Sequence, residues 1–366
     1  MVIIVNCIKN LDRINYPKDL VYDLTKLYTF KGKDFYYEDV LKQYMPQIIK
    51  TTIEHDVIAV AKILNLQVND NRLKLIIKKD SEPKTKHEII VRNLKNLFQL
   101  IQKKGVDLLL TSNEFLQLGS KMFENAYKFA FISDTVIEMD NILETRKKVS
   151  RRDKLDEEIK DYIDAKDNLK IEVTQAITNF YVDLLNMKCF DMQNNFVSLL
   201  ICYCLLFSER FNVFKYVSFF DYYYKNMTEF RKSEEEASYG WETGFSKTND
   251  LNKLIIKMML DGYAIVEKMI KDFEFDKTLR KVDNVGSVIM KLGTVFTRED
   301  IKAKVPNLSD STINRALFRL RDEGKIRADG TGRSAKWVRL VPEEMFSGNV
   351  QQYNIFDFMK NDDEKQ

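Results

Sequence analysis

Residues 187–210 read MKCFDMQNNFVSLLICYCLLFSER, and this stretch decides the fold. From Phe196 to Phe207 every side chain is apolar except Ser198 and the hydroxyl of Tyr203, with neither Gly nor Pro. Polar residues close both ends, DMQNN before and SER after. The apolar run is too short for a bilayer span, which takes about 20 residues. A helix apolar on all its faces belongs inside a bundle, with other helices wrapped around it. The polar turn at 191–195 then lies at the N-terminus of a buried helix, where backbone N–H groups and the helix dipole favour anions. A polar turn in that place marks an active site or the remains of one.

The rest of the chain fits a helical bundle. Its 366 residues allow two or three domains and a sizeable core. Only 12 Gly and 5 Pro among many Leu, Ile, Lys and Glu point to a mainly α protein. The opening MVIIVNCIKNLD is interrupted by Asn6, Lys9 and Asp12 too early for a secretory leader, so a cytoplasmic protein with no membrane contact is expected. Cys189, Cys202 and Cys204 sit in or beside the apolar helix and Cys7 is remote, which reads as reduced core thiols and no metal site. The chain has two histidines, His55 and His87, so any histidine base or histidine-rich metal site must use one of them. Both lie among charged residues, as on a solvated helix face.

Taken in order, Leu20, Leu24 and Leu27 repeat at helical spacing after a β-branched start, VIIV. Residues 37–66 read as two helices or one kinked helix, with Pro46 near a first turn. Residues 69–79 alternate weakly around LKLIIK, and a short strand or hairpin is expected there. Residues 88–103 are amphipathic, and Thr111 caps a further helix. Residues 146–170 are so highly charged that a solvated helix is expected, its basic run Arg146, Lys147, Lys148, Arg151 and Arg152 being a weak nucleic-acid candidate. Residues 171–187 lead into the central helix, and a long helix is expected over 251–271. The aromatic cluster Phe219, Phe220, Tyr222, Tyr223 and Tyr224 has the spacing of core packing.

This layout resembles the Fic/Doc family, whose members transfer nucleotidyl or phosphoryl groups to protein hydroxyls. Their motif HPFxxGNGRxxR opens a buried helix. Here the matching run is Lys188-Cys189-Phe190-Asp191-Met192-Gln193-Asn194-Asn195-Phe196-Val197-Ser198-Leu199. Phe190 and Asn194 match. Lys188 stands at the catalytic histidine position, Gln193 and Asn195 at the glycines, and Phe196 and Leu199 at the arginines. Upstream, Thr51-Thr52-Ile53-Glu54 is similar to the family's inhibitory helix, with His55 in place of its glycine. Downstream, Ser218 to Tyr224, Tyr239-Gly240-Trp241 and LIIKMMLDGY resemble the helices that follow the motif. The resemblance covers roughly residues 15–270 and implies a Fic-like helical bundle.

The chemistry of these positions differs from what the transfer needs. A lysine carries its proton at neutral pH unless buried, and so makes a poor base. Glycines let backbone N–H groups close around a phosphate, and arginines stabilise charge on the transferring group. No catalytic residue is therefore assigned and no cofactor is expected. Lys188 and Asn194 could still form a residual anion site that holds ATP or another nucleotide without turning it over.

Residues 282–342 differ in character. Residues 285–292 form a short apolar helix, and 296–305 a second one, capped by Thr297 with Asp300 three residues on. Ser309 caps a third at 310–323, which Gly324 terminates. Ile313, Ala316, Leu317 and Leu320 make its buried stripe. Two short strands follow around Asp329-Gly330-Thr331-Gly332. Three helices and a basic hairpin resemble a winged helix-turn-helix. Within 282–342 there are 12 Lys+Arg and 7 Asp+Glu, a net of +5; the chain is +3, so the remainder is −2. Ser311, Thr312, Asn314, Arg315 and Arg319 would face a major groove, with Arg327, Arg333 and Lys336 on the wing toward phosphates.

The expected organisation is an N-terminal helical region (1–110), a Fic-like core (111–275), the winged helix (282–342) and a tail (343–366) whose YNIFDFM docks on the body or a partner. The function this favours is a DNA-binding regulator with a catalytically degenerate Fic-like body, dimeric to suit an inverted repeat. Two alternatives stand beside it: a divergent Fic-like transferase acting on a protein hydroxyl, and a non-catalytic protein-interaction module.

Overall fold

The computed structural model describes residues 7–8, 11, 15–104, 109–139, 146–305, 308–330 and 335–340. The VIIV run, Gly105, Arg333 and the tail with YNIFDFM lie outside the described residues. The chain forms two compact units, 1–266 and 267–366, the division falling within one long helix.

The first unit is helical: α1 (Lys18–Lys31), α2 (Asp34–Leu41), α3 (Met45–Ile63), α4 (Asp70–Lys79), α5 (Lys86–Lys104) and α6 (Ser112–Phe123) come first. A hairpin of β1 (Thr135–Met139) and β2 (Arg146–Ser150) follows, then α7 (Arg151–Asp167), α8 (Val173–Met187) and α9 (Asn194–Ser208). After these come α10 (Phe219–Lys225), α11 (Met227–Ser238) and the start of α12 (Asn249–Met290). Short 3-10 turns at Asn212–Lys215 and Trp241–Thr243 join them.

The centre is α9, as its composition demands. Every residue from Phe196 to Phe207 is buried. Burying each large apolar side chain contributes roughly 1.5–3 kcal/mol. The Tyr203 ring lies among Phe98, Phe207, Phe214, Phe219 and Phe220 at 5.1–6.1 Å between centroids. Its hydroxyl meets Nε2 of Gln102 on α5 at 3.3 Å. Phe219 and Phe220 are thus core, as the aromatic spacing suggested.

Buried polar groups tie the shell to this centre. Gln175, Thr178 and Asn179 of α8 interlock with Thr248 and Asn252 through side-chain hydrogen bonds of 2.7–3.1 Å. Asp183, also on α8, accepts from the N–H groups of Cys7 (2.8 Å) and Ile8 (3.2 Å) and from Nε1–H of Trp241 (2.6 Å). Glu158 of α7 is buried beside it. Burial and the neighbouring Asp183 charge push the Glu158 carboxyl well up, so it keeps its proton and its O–H donates a hydrogen bond to Asp183. On α3, Asp56 accepts from the Ser218 hydroxyl at 2.5 Å and the Phe220 N–H at 3.0 Å; burial pushes its pKa up to about 7.

Two expectations need correction. Residues 70–79 are helix, not strand: Asn69 accepts from the Arg72 N–H at 2.9 Å, and Leu73, Ile76 and Ile77 are buried at helical spacing. Residues 146–150 form β2, with Thr135 opposite Ser150 and Met139 opposite Arg146. The helix that follows is not wholly solvated. Leu155, Glu158, Ile159, Tyr162 and Ala165 bury one face, against a background of charge that hid the stripe.

In the second unit, β3 (Val295–Phe296), α13 (Arg298–Lys304), α14 (Asp310–Asp322), β4 (Ile326–Asp329) and β5 (Lys336–Arg339) follow the end of α12. The apolar helix expected at 285–292 is the last part of α12, up to Met290. The strands form one antiparallel sheet in the order β3-β5-β4. Val285, Ile289, Phe296, Ile301, Ile313, Ala316, Leu317, Leu320, Ile326 and Trp337 make its core. Thr297 and Asp300 form a capping box, and Ser309 caps α14. Gly324 ends α14 at φ 70°, where a side chain would strain the backbone.

Candidate functional sites

The turn before α9 keeps a tightly specified shape. Lys188 (φ 48°) and Gln193 (φ 49°) both take the left-handed conformation, at a cost of roughly 1–3 kcal/mol each for a non-glycine residue. Several contacts hold them there. Phe190 lies in a run of four stacked rings, Phe123–Phe129–Phe190–Phe131, with centroids 5.2–5.6 Å apart. The backbone of 189–191 pairs with 130–132, and Asp191 Oδ1 accepts from the Ala130 N–H at 3.1 Å. Arg151 clamps the C-terminus of α8, bonding the Met187 carbonyl and, at 3.2 Å, that of Lys188. Asp134 holds the other edge of its guanidinium at 2.5 and 3.0 Å. Arg152 donates to Asn113 Oδ1 at 2.9 Å. These two members of the basic run are therefore engaged within the body.

A cavity of about 630 Å³ opens beside this turn. Lys188, Gln193, Asn194, Asn195, Phe196 and Leu199 line it from the motif, and Ile63 and Leu64 from the end of α3. Facing them are Tyr181, Leu185 and Asn186 of α8, Tyr223 of α10, and Arg231, Glu234, Glu235 and Ser238 of α11. The structure thus brings Lys188 and Asn194 to one cavity. Asn194 is engaged by the turn itself: Oδ1 accepts from the Phe190 N–H and Nδ2 donates to the Leu184 carbonyl, both at 3.2 Å. Lys188 is exposed. The positions that match the family's arginines present Phe196 and Leu199, an apolar wall.

The half-buried titratable group of this cavity is Glu234. Its Oε1 accepts from the Tyr181 hydroxyl at 2.7 Å and the Tyr223 hydroxyl at 3.0 Å. Burial raises its pKa, and the two phenols hold back part of that rise. Residues 231, 234, 235 and 238 have helical stripe spacing, but on so polar a helix that pattern reads as a solvated face. No histidine lines the cavity. His87 Nδ1 accepts from the Gln67 N–H at 2.9 Å, and His55 is exposed. Glu54, in the segment similar to an inhibitory helix, pairs with Lys78 at 3.4 Å and is not among the lining residues.

All four cysteines are free and buried. Burial pushes the Cys189 thiol up to about 12 and the other three higher still, which keeps them protonated. Among the described residues no group of three or more His, Cys, Asp and Glu is arranged to hold a metal ion. Among the same residues no helix is long and apolar enough to cross a membrane.

The second unit presents a different surface. On α14, Ser311, Arg315, Phe318 and Asp322 fall at i, i+4, i+7 and i+11, opposite the buried stripe, and all four are exposed. Thr312 and Arg319 flank them, half-buried, and Arg319 pairs with Glu323 at 3.4 Å. Asn314 lies on the other flank, where Oδ1 accepts from Arg298 of α13 at 3.1 Å. Arg327 on β4 and Lys336 on β5 are exposed. Phe318 belongs to this surface although the charge pattern gave it no part.

No protein-family model matches this chain, and no curated protein matches it. Solved structures do. A Fic family protein from Desulfovibrio desulfuricans G20 superposes with a TM-score of 0.52 at 11% identity, covering 90% of this chain and 98% of that one. A Fic domain containing signaling protein from Bacteroides thetaiotaomicron VPI-5482 does so with a TM-score of 0.50 at 10% identity, covering 68% and 97%. The fold is therefore Fic-like. At such identities the likeness extends to the fold alone.

Proposed function

We propose that this protein is a DNA-binding regulator, which docks through α14 and the β4–β5 hairpin as a winged helix does. The observation that carries this reading is the outward stripe of α14. It sets Ser311 and Arg315 opposite the core stripe, in the segment that concentrates the chain's positive charge. An arginine on the exposed face of such a helix suits bidentate pairing with a guanine edge. Thr312, Asn314 and Arg319 flank the stripe, and Arg327, Arg333 and Lys336 meet the phosphates. The protein acts as a dimer on two half-sites, because one small module buries too little surface to bind tightly.

In this reading the Fic-like body is a scaffold without transfer chemistry. Lysine at the histidine position, an engaged Asn194 and an apolar wall at the arginine positions all weigh against turnover. A residual anion site at Lys188 and Asn194, holding a nucleotide without turning it over, is a secondary proposal. The transferase reading has one observation in its favour, the cavity of about 630 Å³ beside the motif. It requires that label from a nucleotide move to protein and that Lys188→Ala abolish the movement.

The test uses the full chain and duplex DNA across a salt series. Binding at low salt is expected, with log K falling linearly in log salt at a slope of about −0.9 per phosphate neutralised. Lys336→Ala should reduce that slope by about 1. Absence of binding at low salt would leave the interaction-module reading.

A further inference from the structure

We infer that Phe318 is a base-reading residue, one that recognises the 5-methyl group of a thymine in the major groove. The inference rests on the DNA-binding reading and adds to it a determinant that charge patterning misses. Phe318 is 49% exposed although it is a large apolar side chain in the middle of a short helix. Single exposed apolar residues are common on protein surfaces. The position of this one distinguishes it. Phe318 lies three residues after Arg315 and seven after Ser311, on the line diametrically opposite Ile313, Ala316, Leu317 and Leu320. Any groove that admits Arg315 also meets this ring.

The geometry specifies what it would touch. Three residues of helix advance about 4.5 Å along the axis, and seven about 10.5 Å. Base pairs stack about 3.4 Å apart. Arg315 and Phe318 therefore address base pairs at most about one or two steps apart, the separation along the DNA shrinking as the helix tilts away from the DNA axis. Among major-groove edges the thymine methyl is the apolar feature, and a phenyl ring is an established partner for it. A cation stands against one side of the ring. The Arg321 guanidinium carbon stands 5.0 Å from its centroid, and Nε and Nη2 of Arg321 bond Asp322 Oδ1 at 3.1 and 2.9 Å. A cation over the ring restricts its rotation and leaves the opposite side for the base edge. Asp322, which shares the exposed stripe, lies beyond Phe318 with its charge answered by Arg321.

The experiment takes a duplex selected by the full-length protein and replaces each thymine in turn by uracil, which removes only the methyl group. One position in each half-site is expected to weaken wild-type binding by about fourfold, the partition of one methyl. Phe318→Ala should bind the thymine duplex about as weakly as wild type binds a duplex with uracil at both of these positions, and should not distinguish thymine from uracil at either. Phe318→Leu, which keeps an apolar tip, should retain part of the discrimination. The exposed position leaves the core intact, and an unchanged circular dichroism spectrum of each variant checks this. If Phe318→Ala still distinguishes thymine from uracil at the same position, or binds as tightly as wild type, the inference is overturned while the DNA-binding reading stands. Loss of dimerisation in Phe318→Ala would place the ring in a protein interface and overturn it as well. If the full chain binds no duplex at low salt, both readings fall.

Discussion

Gly119→Ala tests whether the stack beneath the turn is as rigid as its geometry implies. Alanine in place of a mid-helix glycine ordinarily stabilises by about 1 kcal/mol. Gly119 lies within α6, and a Cβ built there would come 2.2, 2.4 and 2.8 Å from three atoms of the Phe129 ring. No carbon pair tolerates such distances, so the ring must move. Phe129 is stacked on Phe123 at 5.6 Å and on Phe190 at 5.2 Å, which leaves it nowhere to swing without parting a stack. Overpacking a closed core costs typically 1–3 kcal/mol, and here we expect the upper half of that range. The net effect is a loss of about 1–2 kcal/mol. In thermal unfolding this lowers the Tm by roughly 2–6 °C for a unit of this size. Gly286→Ala in α12 is the control, because a Cβ there meets nothing within 4 Å and the full helix gain should appear. If Gly119→Ala stabilises as Gly286→Ala does, the stack is soft and Phe190 does not anchor the turn.

Other perturbations test the buried polar groups. Asp56 keeps its proton up to about pH 7 when folded but loses it near pH 4 when unfolded, so the folded state binds the extra proton between those limits. Its contribution to stability therefore falls as pH rises from about 4 to about 7. Asp56→Asn preserves the acceptor for Ser218 and Phe220 and removes the ionisation; its unfolding free energy should depend less steeply on pH across that window. An unchanged slope would mean that Asp56 ionises freely in the fold. Trp241→Phe deletes the 2.6 Å bond to Asp183 and leaves that buried carboxylate one donor short, for a loss of about 1–3 kcal/mol measured by denaturant unfolding. A variant as stable as wild type would show that the bond contributes nothing.

The central helix was legible because it needs no context: twelve residues apolar on every face can only be interior. The small second unit was legible for another reason. Its caps, Thr297 with Asp300 and Ser309, and its stripe from Ile313 to Leu320 are local signals that agree with one another. Residues 69–79 defeat a reading by period because LKLIIK is short enough to fit either one, and burial against α5 makes the segment helix. The β2 strand was hidden by its charge, since Arg146, Lys147 and Lys148 carry no strand preference; its partner strand across the hairpin fixes it. The position of Lys188 and Asn194 beside the cavity is legible from their place before the central helix. Glu234, Tyr181 and Tyr223 are not, because three separate helices bring them together and no spacing along the chain encodes that meeting. Phe318 is not legible in the sequence because an exposed aromatic has no periodic signature.

The most direct test of the account is capture of genomic DNA by the full-length protein at near-physiological salt, where contacts to phosphate alone weaken. Sequencing of the retained fragments should show one short site, arranged as an inverted repeat, and Arg315→Ala should lose the enrichment while still binding DNA at low salt. Retention without enrichment of any sequence, or enrichment that survives Arg315→Ala unchanged, would contradict the assignment of α14 as the reading helix.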